Sequence, residues 1–239
     1  FRDLLDKAKA VAGDSIYGQR VQAVISELQP RADMIAKYKA KDNELAEARA
    51  KAPLAVGTAE TVLSKATTYK LKANRGGKVG VPATTFQVGW DKNTLLLDIR
   101  CQEPDMEKLV AAPDVSSGDN VAVCLETPNH TYYVIEINPN GVMVEGNPSP
   151  GWKSLAEIKT VKGADFWRVQ LRIPVVGEAE ASADPKHRVA GAKPTAAAPW
   201  FFNVGRLRMA GLANPEIQAF SPTGGGWHLP GKFAKLLVE

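Results

Sequence analysis

Indole rings on loops, together with a few strand-borne polar side chains, are the residues here whose types and spacing could do chemistry. The chain has five tryptophans. Trp90, Trp167 and Trp200 end, occupy or begin apolar runs and read as core. Trp152 and Trp227 differ, because each follows a glycine in a loop, Pro150-Gly151-Trp152 and Gly225-Gly226-Trp227. An indole in that setting either folds back as a lid over the core or stacks on the apolar, slightly positive C–H face of a sugar ring. Asp119 opens a strand after Ser116-Ser117-Gly118, so it is either a strand-start residue or a ligand or ion contact. Glu136 falls on the polar side of its strand by alternation, the usual place for a solvated carboxylate.

Catalytic constellations are scarce. His130 and His187 are expected on the surface, the first in a hairpin turn and the second in the loop Asp184-Pro185-Lys186-His187. No H-E-x-x-H motif, G-x-S-x-G elbow, P-loop or dinucleotide fingerprint is present. Gly224-Gly225-Gly226 has no helix after it to hold a phosphate and reads as a mobile loop. Carboxylates are numerous enough that counts alone leave paired acid/base work open. Met143 and His228 could in principle hold a haem, but nothing in their spacing favours ligation.

The elements that must position these residues change character near residue 52. Before it, Ala, Lys, Glu, Leu and Arg dominate. Leu4, Leu5, Ala8 and Val11 share one helical face. Gly13 is expected to end that helix, with Asp14 or Ser15 capping the next. Val21, Val24, Ile25 and Leu28 repeat at helical spacing, and Pro30 is expected to interrupt the pattern. Asp33 to Ala50 forms a charged, Ala-rich third segment. Such an arm buries little alone and is expected to pack on a neighbour.

From Pro53 onward short strands alternate with turn signals. Tyr133, Ile135 and Ile137 alternate with Val134, Glu136 and Asn138, and Pro139-Asn140-Gly141 turns the chain back into Val142 to Val144. Other expected strands are Thr67–Leu71, Thr84–Trp90, Thr94–Arg100, Asp119–Glu126, Leu155–Thr160 and Phe166–Ile173, the last stopped by Pro174. Residues 175–199 read as a long exposed loop. Phe201–Met209, Ile217–Phe220 and Phe233–Val238 complete the set. The fold class is therefore mainly β, an antiparallel β-sandwich of jelly-roll type preceded by a helical arm, with residues 1–52 as the arm and 53–239 as the sandwich.

Composition excludes some classes. A net charge of +4 is spread over basic residues that sit beside acidic ones, so no stripe suited to nucleic acid forms. No apolar run approaches the ~20 residues that span a membrane. The start at Phe1 suggests a piece of a longer protein. Cys101 and Cys124 fall in strands, either as small core residues or as a cross-strand disulfide.

Taken in order, Thr84 to Arg100, Gly118-Asp119-Asn120-Val121, Tyr132 to Gly141, Trp167 to Pro174, Phe202-Asn203-Val204-Gly205-Arg206 and Trp227 to Leu236 resemble the family 9 carbohydrate-binding modules over roughly residues 54–239. The resemblance implies a sandwich that binds sugars between stacked tryptophans and is attached to extracellular polysaccharide-degrading enzymes. Phe1 to Leu28 resembles the end of bacterial glycoside-hydrolase-like proteins. The family's first stacking tryptophan falls here near Ser116, and its glutamate at Ala122; Trp227 matches the second tryptophan. The expectation is a non-catalytic carbohydrate-binding module, secreted or periplasmic, with Trp227 exposed and stacked on sugar. Asp119, Asn203 and Arg206 are candidates for hydrogen bonds to the sugar or for fixing the loops, with a structural salt bridge as the other reading of Arg206, and Trp152 is a further candidate ligand residue. Its partners would be carbohydrate and a neighbouring catalytic domain, with no cofactor beyond an optional structural calcium ion. The alternative is a degenerate sandwich that only packs on a glycoside hydrolase domain.

Overall fold

The computed structural model describes residues 2–11, 16–59, 63–74, 82–128, 132–146, 151–183 and 188–239. The chain divides into two compact units, Phe1–Lys51 and Ala52–Glu239. The first holds helices α1 (Arg2–Val11) and α2 (Ile16–Ala50). Leu5, Ile25 and Ala32 form its small buried centre, with Ala8 and Leu28 packed alongside. Leu4, Val21 and Val24 are exposed. The expected caps after Val11 lie outside the described residues.

Pro30 does not interrupt the second helix, which runs through it for 35 residues. A proline there removes one amide donor and crowds the preceding turn. Side chains span the weak point: Lys9 Nζ donates to Gln29 Oε1 at 2.7 Å, and Gln29 Nε2 donates to Asp33 Oδ1 at 3.1 Å.

The second unit carries, in chain order, β1 (Leu54–Gly57), β2 (Tyr69–Lys70), β3 (Lys72–Ala73), β4 (Thr84–Asp91), β5 (Thr94–Gln102), β6 (Asn120–Glu126), β7 (Tyr132–Ile137), β8 (Met143–Gly146), β9 (Glu157–Lys162) and β10 (Phe166–Val176). After these come α3 (Glu178–Ala183), β11 (Val189–Ala190), β12 (Trp200–Arg208), β13 (Glu216–Ala219) and β14 (Ala234–Val238). An eight-stranded sheet runs β1-β14-β12-β6-β7-β8, with β13 joining β12 to β3. A six-stranded sheet runs β11-β10-β5-β4-β2, with β9 also on β10. Pairing is antiparallel except for β1 with β14 and β10 with β11.

Period-two alternation sends one side of each long strand into the space between the sheets. Phe86, Val88, Trp90, Leu95, Leu97, Ile99, Trp167, Val169 and Leu171 come from the smaller sheet, and Val121, Val123, Ile135, Ile137, Trp200, Phe202 and Leu236 from the larger. Each buried aliphatic or aromatic side chain contributes roughly 1.5–3 kcal/mol. Rings interlock across the layers edge to face: Phe86 with Phe202 at 5.9 Å and Trp90 with Trp200 at 5.7 Å. The β7–β8 turn follows its sequence signal. Asn138 Oδ1 accepts from the Asn140 and Val142 amides at 2.9 and 3.0 Å, bracing it.

Three other expectations are corrected. Pro174 lies inside β10, opposite Thr94 at the start of β5 and past the end of β9 pairing at Arg172. Its missing donor therefore falls where pairing on one side has finished. Residues 175–199 are not one exposed loop, since Val175 and Val176 pair with Val189 and Ala190 and all four are buried. Those apolar stretches are too short to register against Ala-, Gly- and Pro-rich surroundings. The strand expected at Thr67–Leu71 shrinks to Tyr69–Lys70. Both cysteines are free: Cys101 faces the inter-sheet core, whereas Cys124 lies on the outer side of the larger sheet.

Candidate functional site

The five nominated side chains are all buried. Trp152 is 1% exposed, packs on Tyr133 with ring centres 4.9 Å apart, and donates from Nε1 to the Arg188 carbonyl at 3.0 Å. It is a lid over the core. Asp119 accepts from the Val110 amide at 2.8 Å and the Met209 amide at 3.1 Å, tying two loop ends together at the start of β6. Asn203 grips the backbone of Ser221 in both directions: its Oδ1 accepts from the amide at 3.0 Å and its Nδ2 donates to the carbonyl at 2.9 Å. Arg206 donates to the Gln102 carbonyl at 2.8 Å and to Glu103 Oε2 at 2.9 Å. Arg208 donates to both oxygens of the same carboxylate, at 2.7 and 2.9 Å. Burial alone would raise the Glu103 carboxyl; hydrogen bonds from Arg208 and from the Asp105 amide, together with the charges of Arg208 and Arg206, outweigh it and hold the group below its ordinary value.

Trp227 is 8% exposed, not a free platform. Its indole lies across Gly205 of β12, where an added Cβ would come within 2.3 Å of Nε1. No other residue type would let the ring settle so close to the sheet. The Nε1–H donates to the Gln218 carbonyl at 3.1 Å. The glycine run before it is anchored, with the Gly224 amide donating to the Asn74 carbonyl at 3.0 Å and the Thr223 amide to Asn74 Oδ1 at 2.7 Å. Asn74 Nδ2 also donates to the Gly225 carbonyl.

What surrounds Trp227 is a second apolar cluster, on the outer face of the larger sheet. It comprises Ala122, Cys124, Val134, Ala219, Trp227 and Phe233, flanked by Tyr132 and Phe201. Alternation puts Tyr132, Val134 and Glu136 of β7 on that face. Tyr132 stacks at a tilt on Phe233, 5.6 Å between centres, and its hydroxyl meets His228 Nδ1 at 2.7 Å. His228 Nε2 stands 3.9 Å from Glu136 Oε1. Burial pushes the Glu136 carboxyl above its ordinary value, and His228 partly offsets this. Burial likewise raises the Cys124 thiol to about 12, leaving it unreactive.

Sequence reading missed Tyr132, His228 and Phe233 as neighbours of Trp227. The usable signal was the alternation of β7, which already put Glu136 on the outer side; nothing in the chain order says which loop crosses that face. Met143 packs against the inter-sheet core, on the opposite side of the sheet from His228, so the two do not form a haem pair. His130 and His187 lie outside the described residues. Among the described residues no group of His, Cys, Asp and Glu is arranged to hold a metal ion, and no helix is long and apolar enough to cross a membrane.

No family model and no curated protein matches the chain. Its fold is shared with solved carbohydrate-binding proteins. A family 9 carbohydrate-binding module from Caldicellulosiruptor kristjanssonii in complex with cellotriose superposes with a TM-score of 0.59 at 16% identity, over 78% of this chain and 93% of that one. The glucose complex of a family 9 module from the same organism gives 0.56 at 15% identity, over 78% and 95%. A candidate carbohydrate-binding protein from Bacteroides uniformis gives 0.57 at 17%, over 79% and 99%. At these identities the likeness defines the fold, a β-sandwich of the family 9 type.

Proposed function

We propose that this chain is a non-catalytic carbohydrate-binding-like module of a glycan-processing protein that works outside the cytoplasm. The observation that carries the reading is the Tyr132–Trp227–Phe233 aromatic cluster on an outer sheet face, beside the polar groups of Glu136 and His228. Apolar C–H faces of a sugar pack against such rings, while a carboxylate and an imidazole exchange hydrogen bonds with its hydroxyls. Trp227 serves as floor rather than as a free stacking wall, and the half-buried Tyr132 ring offers the contact face. The sandwich fold shared with modules solved with cellotriose and glucose supports this choice of ligand class.

Calorimetric titration with neutral oligosaccharides tests it. Cellotriose is expected to bind, and Tyr132→Ala to weaken binding about tenfold, the scale of losing one aromatic contact of about 1–3 kcal/mol. No heat with any neutral glycan rejects the reading. One observation favours the alternative, a sandwich that only packs on a glycoside hydrolase domain: all five side chains nominated for sugar contact are buried and bonded within the fold.

A further inference from the structure

The outer face of the six-stranded sheet is not a plain solvated surface. Strand register sets Gln87, Asp98, Gln170 and Lys159 side by side across β4, β5, β10 and β9. The next row on the same face is Gly89, Leu96, Arg172 and Glu157. All of these but Gly89 line an open groove of about 610 Å³, within the size range of small-ligand sites. The turn at Leu63–Lys65 forms one wall, with Leu63 lying over Gly89, where a Cβ would meet its Cδ2 at 2.5 Å.

The floor is built. Leu96 is buried beneath the groove and supplies an apolar patch. Asp98, also buried, is fixed by Arg168 Nε at 2.6 Å, by Arg168 Nη2, and by Gln170 Nε2 at 3.2 Å. Gln87 is oriented by donating to the Ala66 carbonyl at 2.8 Å. A row of fixed amide, carboxylate and guanidinium groups offers alternating donors and acceptors, the pattern that neighbouring ring hydroxyls of a sugar require.

Charge narrows the ligand. Arg168 offsets Asp98 within the floor, and at the rim Lys159 and Arg172 stand against Glu157 and Asp91, so the two cations are balanced only by loose pairing. Arg172 reaches Asp91 at 3.4 Å and Glu157 at 3.5 Å, and its side chain stays 47% exposed. Ion pairs that long and wet hold little energy and leave the guanidinium able to take another carboxylate.

We infer that this groove binds an oligosaccharide bearing uronic-acid carboxylates, its ring hydroxyls over the Gln87–Asp98–Gln170 row and a carboxylate at Arg172 and Lys159. The site lies on the sheet opposite the Trp227 face and rests on the glycan-binding reading for its ligand class alone. The test is titration of the full chain with tetragalacturonate, cellotetraose and hexaglutamate at low and at ~1 M salt. Tetragalacturonate is expected to bind best and to weaken with salt. The double variant Lys159→Ala/Arg172→Ala should weaken it about tenfold or more, Glu157→Gln should strengthen it severalfold, and Tyr132→Ala should leave it unchanged. No binding of tetragalacturonate, binding indifferent to the rim variants, or equal binding of hexaglutamate overturns the inference. Loss of cellotriose binding on the other face with tetragalacturonate binding intact sinks the Trp227-face proposal and spares this one.

Discussion

Glu103 and Glu136 are held in opposite senses by their surroundings. Glu103 has its carboxyl lowered in the folded state, so its contribution is present above the ordinary value of 4.5 and is lost as pH falls through the lowered one. Glu136 has its carboxyl raised, so stability is greatest below 4.5 and declines as pH rises through the raised value. Glu136→Gln should therefore melt higher than the parent at pH 8, with the difference closing below pH 4.5. Equal melting temperatures at both pH values would show that burial of Glu136 carries no penalty. Arg206→Ala should lose about 1–3 kcal/mol in urea unfolding, because it removes one charged hydrogen-bond partner from a buried carboxylate that Arg208 still pairs. The identity of Arg206 as an ion-pair residue was one reading of the sequence. Its partner was not legible, because Glu103 lies far away along the chain and is brought near only by the packing of the two sheets.

At the level of elements, the hairpin of β7 and β8 was legible because Asn138 to Gly141 encode a turn locally. The β11 strand was not, because two residues leave no period to detect. Helix α2 shows the converse case, a strong local stop signal overridden. Helix formers on both sides of Pro30, and the Lys9–Gln29–Asp33 bridge, sustain the helix through it. Pro30→Ala should restore the missing amide bond and stabilise the helical unit by up to about 3 kcal/mol, read as a higher midpoint of the 222 nm dichroism melt. A lower midpoint would mean that the proline relieves a constraint in the helix.

For the molecule as a whole, the two units differ in how much core each owns. Residues 52–239 hold two apolar clusters and both sheets, enough for cooperative folding. The helical unit buries only Leu5, Ile25 and Ala32 fully among its described apolar residues. Expressed alone, residues 52–239 should unfold in a single sharp transition, whereas residues 1–51 should lose most of their helicity. Chemical denaturation followed by dichroism distinguishes these outcomes, and a broad, gradual transition in the sandwich would refute the assignment of an independent core.

The sequence by itself determined the layered β architecture, the change of character near residue 52 and the candidacy of Trp227, because alternation, composition and turn residues act over a few neighbours. Tertiary structure decided what those residues became. Trp227 lies flat on the sheet because Gly205 of β12 leaves a gap for its ring. Asp119, Asn203 and Arg206 are braces because their partners come from distant segments. The row Gln87, Asp98 and Gln170 exists only through strand register. Burial and register arise from contact between segments, and no local run of residues specifies which segments will meet.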